Sequence, residues 1–184
     1  MAELVILLEE PSAKEMLLGI ISRIVPADIE VRLIPFQGKQ DLEKNVCRKM
    51  RGYQNTDACF LIIRDQDSGE CRKVKQKLVD ECAKSGRPRY KVRILCHELE
   101  TVYLADLAAV ENGLKISGLS ENQQKKNYRN PDALGNPKQK LKDLTENQYS
   151  DIAGSRAIGP FLDLDNSRSN SFKNLVRAIR ELTT

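Results

Sequence analysis

The sequence predicts an α/β fold on a mainly parallel sheet flanked by helices, with a helical C-terminal extension. Three observations predict it. Strand-like and helix-like patterns alternate up to Glu98, as in a chain of β-α-β units. The stretch Ala58-Cys59-Phe60-Leu61-Ile62-Ile63 is apolar at every position, as a strand is when both its faces are covered. No stretch after Glu98 reads as a strand.

Each element has its own signal. Leu4 to Leu8 reads as a buried strand, and Ser12-Ala13-Lys14-Glu15 as a capping box. The helix it opens carries Met16, Leu17, Ile20, Ile21 and Ile24 on one face and is stopped by Pro26. Ile29 to Phe36 alternates as a second strand, with Ile29, Val31 and Leu33 on one side, and beyond Gly38 a more polar helix runs from Asp41 to Met50. Ala58 to Ile63 is the third strand and is expected to be central. A helix from Glu70 to Ala83, closed by Gly86 and Pro88, leads to a fourth strand, Tyr90 to Cys96.

Leu99, Val102, Tyr103, Leu104, Leu107 and Val110 then describe one helix. Residues 113–140 are polar and broken by Gly113, Gly118, Pro131, Gly135 and Pro137, which makes them a loop-rich connector. Lys138 to Leu144, Ile152 to Phe161 and Phe172 to Leu182 read as helical. The expected division is an α/β core over 1–112, with 113–184 forming the connector and a helical extension packed on that core.

Composition narrows the function classes. With 184 residues, 30 Lys and Arg, 26 Asp and Glu, and 40% apolar residues, the chain suits a globular protein with a solvated surface, and disorder throughout is excluded. The longest purely apolar run, Leu4 to Leu8, is far short of the roughly 20 residues that span a bilayer. Met1-Ala2-Glu3 leads directly into a strand, so neither a membrane partner nor a secretion signal is expected. Cys47, Cys59, Cys71, Cys82 and Cys96 are odd in number and contain no Cys-x-x-Cys pair, which argues against a disulfide framework or a zinc knuckle and fits a reducing cytoplasm.

In an open parallel sheet, ligands bind beyond the carboxyl ends of the strands. Acids stand at three of the four exits: Leu8-Glu9-Glu10-Pro11, Arg64-Asp65-Gln66-Asp67-Ser68-Gly69 and His97-Glu98-Leu99-Glu100. Glu10 and Glu70 read as helix-capping acids, favoured there by about 0.3–1 kcal/mol. Asp65 and Asp67 alternate in an extended chain, which sends both carboxylates the same way and leaves them in need of a counterion. Mg²⁺ or Mn²⁺ supplies one. Glu9, Asp65, Asp67 and one of Glu98 or Glu100 are the right number and type of hard oxygen ligand for one or two such ions.

Basic residues point to a phosphate substrate. Nine Lys or Arg stand between Cys71 and Arg93 against only Asp80 and Glu81, and a second run holds Lys125, Lys126, Arg129, Lys138, Lys140 and Lys142. The sequence lacks a His-Glu-x-x-His pair, a Walker A loop, a Gly-x-Gly-x-x-Gly turn and a nucleophile elbow. His97 reads as a hydrogen-bonded strand-end residue, and Cys59 and Cys96 as small core residues.

Leu7-Leu8-Glu9-Glu10-Pro11-Ser12 together with Phe60-Leu61-Ile62-Ile63-Arg64-Asp65-Gln66-Asp67-Ser68-Gly69 resembles the TOPRIM (topoisomerase-primase) domain, which has a Glu after the first strand and an Asp-x-Asp after the third. More closely, the chain is similar to a family of small bacterial TOPRIM-like proteins of uncharacterised type. That likeness runs through Pro35-Phe36-Gln37-Gly38-Lys39-Gln40-Asp41-Leu42, Cys96-His97-Glu98-Leu99-Glu100, Gly154-Ser155-Arg156 and Asn166-Ser167-Arg168-Ser169-Asn170-Ser171-Phe172. The resemblance implies a TOPRIM-like sheet and metal-dependent phosphodiester chemistry, as in the related overcoming-lysogenization-defect (OLD) nucleases. It also implies an ABC-type ATPase partner in anti-phage defence. Glu9 matches the TOPRIM glutamate and Asp65 and Asp67 its aspartate pair, Glu98 and Glu100 both remain candidates for the third acidic site, and Glu10 departs from the commoner Gly.

The expected function is therefore a Mg²⁺- or Mn²⁺-dependent nuclease acting on nucleic acid, DNA first, with Glu9, Asp65 and Asp67 catalytic and Glu98 or Glu100 a further metal ligand. Arg64, Lys39, Arg156 and Arg168 are the expected phosphate contacts. The alternative is a non-catalytic regulatory or structural subunit of an ATPase complex, and a homo-oligomer is compatible with either. A haloacid-dehalogenase-type phosphatase ranks last, because its Asp pair should follow the first strand rather than the third.

Overall fold

The computed structural model describes residues 2–166 and 168–184; Met1 and Ser167, the latter inside the Asn166–Phe172 stretch, lie outside the described residues. Strands β1 (Glu3–Leu8), β2 (Glu30–Pro35), β3 (Cys59–Asp65) and β4 (Tyr90–Leu95) form one parallel sheet in the order β2-β1-β3-β4. β1 and β3 are thus the two central strands, and every residue of both is buried, as their apolar runs Leu4–Leu8 and Cys59–Ile63 require, with Glu3, Arg64 and Asp65 buried at their ends.

Strand alternation divides these side chains between two cores. Leu4, Ile6, Leu8, Cys59, Leu61 and Ile63 enter one, and Val5, Leu7, Phe60 and Ile62 the other. The second core is covered by α2 (Lys39–Arg51) through Leu42, Val46 and Met50 and by α3 (Cys71–Ala83) through Leu78 and Cys82. The first is covered by α1 (Pro11–Leu18), α4 (Glu100–Leu104), α5 (Leu107–Leu114), α8 (Asp151–Ile158) and α9 (Asn170–Leu182), with Leu141 of α7 (Pro137–Leu144) added. The residues after 112 therefore share one apolar core with β1 and β3. Among the described residues no helix is long and apolar enough to cross a membrane.

Four local expectations are corrected. α1 opens at Pro11, which suits the first helical position, so Ser12 is already inside the helix and its hydroxyl donates to Glu10 Oε2 at 3.2 Å instead of capping. The helix ends at Leu18, and Ile21–Arg23 is a separate 3-10 turn. β3 runs two residues past the apolar pattern, which makes Arg64 and Asp65 strand residues. The connector also holds more structure than its breakers suggest, with helical turns at Ser120–Gln124 and Pro131–Ala133 flanking α6 (Lys126–Arg129).

The helix expected through Leu99 to Val110 is two helices, α4 and α5, because Asp106 interrupts it. Asp106 Oδ1 accepts from the Ala109 N–H at 3.1 Å, capping α5, and Oδ2 accepts from the Asp163 N–H at 2.8 Å. Both oxygens are thus spent on backbone donors. Asp106→Ala is expected to cost about 1–2 kcal/mol and, in a chain of this size, to lower the midpoint of a thermal melt by about 2–8 °C.

Candidate functional site

Because all four strands are parallel, their carboxyl ends share one rim. Leu8 at the end of β1 lies opposite Ile63, so β3 overhangs its neighbour by Arg64 and Asp65. Glu9 fills that step. Its N–H donates to Ile63 O at 3.2 Å, and its carboxylate turns back so that Oε2 accepts from the Asp65 N–H at 3.0 Å.

The parity of β3 then separates the next two side chains. Asp65 follows Leu61 and Ile63 to the first core's face, where its Oδ2 accepts from the Leu99 N–H at 3.1 Å ahead of α4. Arg64 follows Phe60 and Ile62 to the other face. Its Nη2 lies 3.5 Å from carboxylate oxygens of both Glu43, on α2, and Asp67, and its Nε lies 3.9 Å from Glu9 Oε2. Glu9, Arg64, Asp65 and Glu100 are all buried.

Burial raises the Asp65 carboxyl well above the ordinary range, and the charges of Glu9 and Glu100 push the same way. Burial also raises Glu9, with Asp67 adding to the effect and the Asp65 N–H and Arg64 opposing it. Glu100 is raised by burial as well, although Lys138 and the Tyr149 hydroxyl favour its charge. That hydroxyl donates to Glu100 Oε1 at 3.0 Å, while Lys138 Nζ lies 3.9 Å from the same oxygen and 2.5 Å from Asp151 Oδ2. Tyr103 Oη and Ser155 Oγ are buried without a hydrogen-bond partner among the described residues.

Asp67 does not project alongside Asp65. Its φ of 55° is left-handed, its N–H donates to His97 O at 2.7 Å, and the extended run that would keep the two in phase ends before it. Its Oδ2 instead meets Lys39 Nζ, at the start of α2, at 3.0 Å, and Arg64. Asp67, His97 and Asn136, all with positive φ, line one cleft of about 260 Å³ with Glu98 and Pro137. Such backbone costs on the order of 1–3 kcal/mol per residue and tends to cluster where function holds it in place.

The structure also sorts the remaining candidates. Glu98 Oε2 accepts from the Lys138 N–H at 3.0 Å in the first turn of α7, whereas Glu100 lies close enough for its charge to raise Asp65. Arg156 pairs with Glu15 at 2.7 Å, and Arg168 Nη1 donates to Ala105 O at 3.4 Å; among the described residues neither pairs with a rim acid. Glu10 and Glu70 occupy the N-cap positions of α1 and α3 without a side-chain capping bond. The sequence pattern does not mark Glu43 or Tyr149 as site residues. The parity of Arg64 against α2 gives a hint of Glu43, but nothing local marks Tyr149, 49 residues from the acid it serves.

For a divalent cation the donor chemistry fits. Glu9 Oε1 and Asp65 Oδ1 take no hydrogen bond among the described residues, both are hard oxygens, and Mg²⁺ typically takes one or two carboxylates with water and phosphate completing its shell. Among the described residues, no three His, Cys, Asp or Glu side chains converge closely enough to hold an ion as they stand. A third carboxylate ligand would require Glu100 or Asp67 to turn away from its present partner.

Residues 8–180 match the family described as a domain of unknown function, DUF4276. The chain belongs to the DUF4276 family. The match starts just before Glu9 and ends in α9, so it takes in every acid of the rim. A comparison with curated proteins finds no match for this DUF4276 chain. Among solved structures, its fold is similar to the C-terminal region of the Burkholderia pseudomallei OLD protein, with a TM-score of 0.59 at 15% identity over 98% of each chain. That likeness is one of fold, and it extends through the helical C-terminal half.

Proposed function

We propose that this DUF4276 protein is a Mg²⁺- or Mn²⁺-dependent nuclease that hydrolyses phosphodiester bonds of nucleic acid, DNA first. The observation that carries the proposal is the group of buried acids at the rim: Glu9 folded onto Asp65, and Glu100 close enough for its charge to raise Asp65, each with its carboxyl pushed up. Buried acids that Arg64 and Lys138 meet only at long range are costly unless a cation or a reaction uses them. A bound divalent ion would neutralise them, stabilise charge developing on a phosphate and lower the pKa of an attacking water.

Glu9 and Asp65 would hold that ion, with Glu100 as the nearest further carboxylate. Arg64 brings a buried Nε that has no hydrogen-bond partner among the described residues, and Lys39 stands beside it through Asp67. These two cations would grip the phosphate. Lys138 brings a third positive group next to Glu100. The fold likeness to the OLD C-terminal region and the motif resemblance both support this reading. The same resemblance supports an ABC-type ATPase partner in anti-phage defence.

Purified protein with Mn²⁺ and plasmid DNA tests it. The expected result is cleavage that falls at least about a hundredfold in Asp65→Ala and in Glu9→Ala. Cleavage by these variants at the wild-type rate would contradict the assignment. The ion pairs of Asp67 with Lys39 and Arg64 favour a second reading, a non-catalytic subunit of an ATPase complex. Calorimetric titration with Mn²⁺ separates the two, since that subunit needs no ion at these acids.

A further inference from the structure

β4 is an edge strand, and α3 and α9 lie on either side of it. Between them runs a groove of about 290 Å³ lined by Lys75, Arg93, Arg177 and Asn174 over Val92 and Ile94, with no acid in its lining. Cys71, the first residue of α3, follows the end of β3 at Asp65 closely in the chain, so its end of the groove is the one toward the rim that carries Glu9 and Asp65.

The basic run that the sequence concentrates here is mostly spent on structure. Lys73 pairs with Glu70, Lys77 with Glu43, Lys84 with Glu81 and Lys91 with Glu181. Arg87 donates to the backbone carbonyls of Met50, Tyr53, Asn55 and Thr56. Arg72, Lys75, Arg89 and Arg93 have no ion-pair partner among the described residues, and of these Lys75 and Arg93 line the groove.

Arg93 is held in place by its own fold. Its Nε donates to Asn174 O at 3.1 Å and its Nη1 to Val92 O at 3.0 Å, so the guanidinium is oriented without being neutralised. Burial disfavours its charge, the nearby Glu181 carboxylate favours it, and Arg177 adds a smaller repulsion. Arg177 is oriented likewise, with Nη2 donating to Asn174 Oδ1 at 2.9 Å and a long contact to Glu181 at 3.7 Å. Three cations converge on this groove, with Glu181 alone beside them among the described residues and already paired to Lys91, so the groove keeps a positive excess that matches an anionic polymer.

We infer that this groove docks the phosphate backbone of the nucleic acid and leads it along the β4 edge to the acidic rim. The occupant's identity rests on the nuclease reading; the groove's charge and placement do not. Lys75, Arg93 and Arg177 would each neutralise about one phosphate, and binding would depend on salt accordingly.

The test measures binding of a fluorescently labelled DNA duplex by anisotropy over a range of NaCl concentrations, in an Asp65→Asn background that removes cleavage. The combination Lys75→Gln, Arg93→Gln and Arg177→Gln is expected to weaken binding at least about tenfold and to reduce the log-log salt slope by about 2 to 3. If the half-buried Arg93 proves necessary for folding, as a thermal melt would show, the exposed pair Lys75→Glu and Arg177→Glu carries the same prediction. Lys44→Gln, Arg48→Gln and Lys49→Gln on α2 form the charge-matched control and should leave binding near that of the parent. An equal loss in groove and control variants, or no loss in the groove variants, overturns the groove. Groove-dependent binding by a protein that fails to cleave with Mn²⁺ supports the groove and sinks the nuclease reading alone, while cleavage with groove-independent binding does the reverse.

Discussion

Asp65→Asn is expected to make the protein more stable at neutral pH while abolishing metal-dependent cleavage. Asp65 is buried, and desolvation, Glu9 and Glu100 all raise its folded pKa. A carboxyl raised on folding binds its proton more tightly in the native state. Its contribution to stability is therefore complete below the ordinary carboxylate range and is lost as pH rises through the folded value. At neutral pH the native site carries that cost, and Asn removes it. The substitution keeps nearly the same volume and retains an oxygen to accept the Leu99 N–H.

Relief of at least about 1 kcal/mol would raise the thermal midpoint by about 2–4 °C in a chain of this size without divalent ions. The advantage should shrink as pH falls toward the ordinary carboxylate range, where wild type no longer bears the cost. It should also shrink when Mg²⁺ is added, because an ion that binds the folded wild type stabilises it by mass action and leaves the variant unmoved. A lower midpoint for Asp65→Asn at neutral pH would show that this carboxylate is a structural asset and not a site held at a cost.

Gly19→Ala is expected to produce the largest loss of stability, about 3 kcal/mol, or about 6–12 °C in thermal midpoint. A Cβ at Gly19 would lie 2.5 Å from both Gly159 C and Pro160 N, and one at Gly159 would lie 2.7 Å from Met16 O. Backbone thus crosses backbone where α1 meets the turn after α8, and no rotamer change can relieve the clash. Because α1 starts two residues after Glu9, lifting it also displaces the acid, and cleavage should fall with stability. Gly38→Ala makes a useful contrast: a Cβ there meets nothing within 4 Å, and only its φ of 92° argues against alanine. A Gly19→Ala protein melting within about 1 °C of wild type would mean that α1 and the C-terminal helices tolerate separation.

The sequence carries the sheet well, for a physical reason. β1 and β3 are covered on both faces, so their apolar runs are uninterrupted, and the central place of β3 follows directly. What the sequence conveys less well depends on a single residue acting at a distance. The expected helix through Leu99 to Val110 splits at Asp106, which receives the distant Asp163 N–H, and α1 ends at Leu18 with Gly19 packed against Gly159. At the rim, Glu9 and Asp65 meet because parallel strands align their exits. Asp67 leaves their side through one left-handed residue, which an Asp-x-Asp pattern cannot convey. Glu98 and Glu100 are indistinguishable by spacing, yet the first accepts from the Lys138 N–H at the start of α7 and the second from the Tyr149 hydroxyl, a division made by residues 40 or more downstream.

The most direct measurement is the anomalous signal of a crystal soaked in Mn²⁺. The prediction is a peak coordinated by Glu9 and Asp65 on the Glu100 side of the rim, with Glu9 Oε1 and Asp65 Oδ1 as its protein ligands. A soaked crystal with no peak at that position, or with manganese only in the cleft between Asp67 and Glu98, would contradict it.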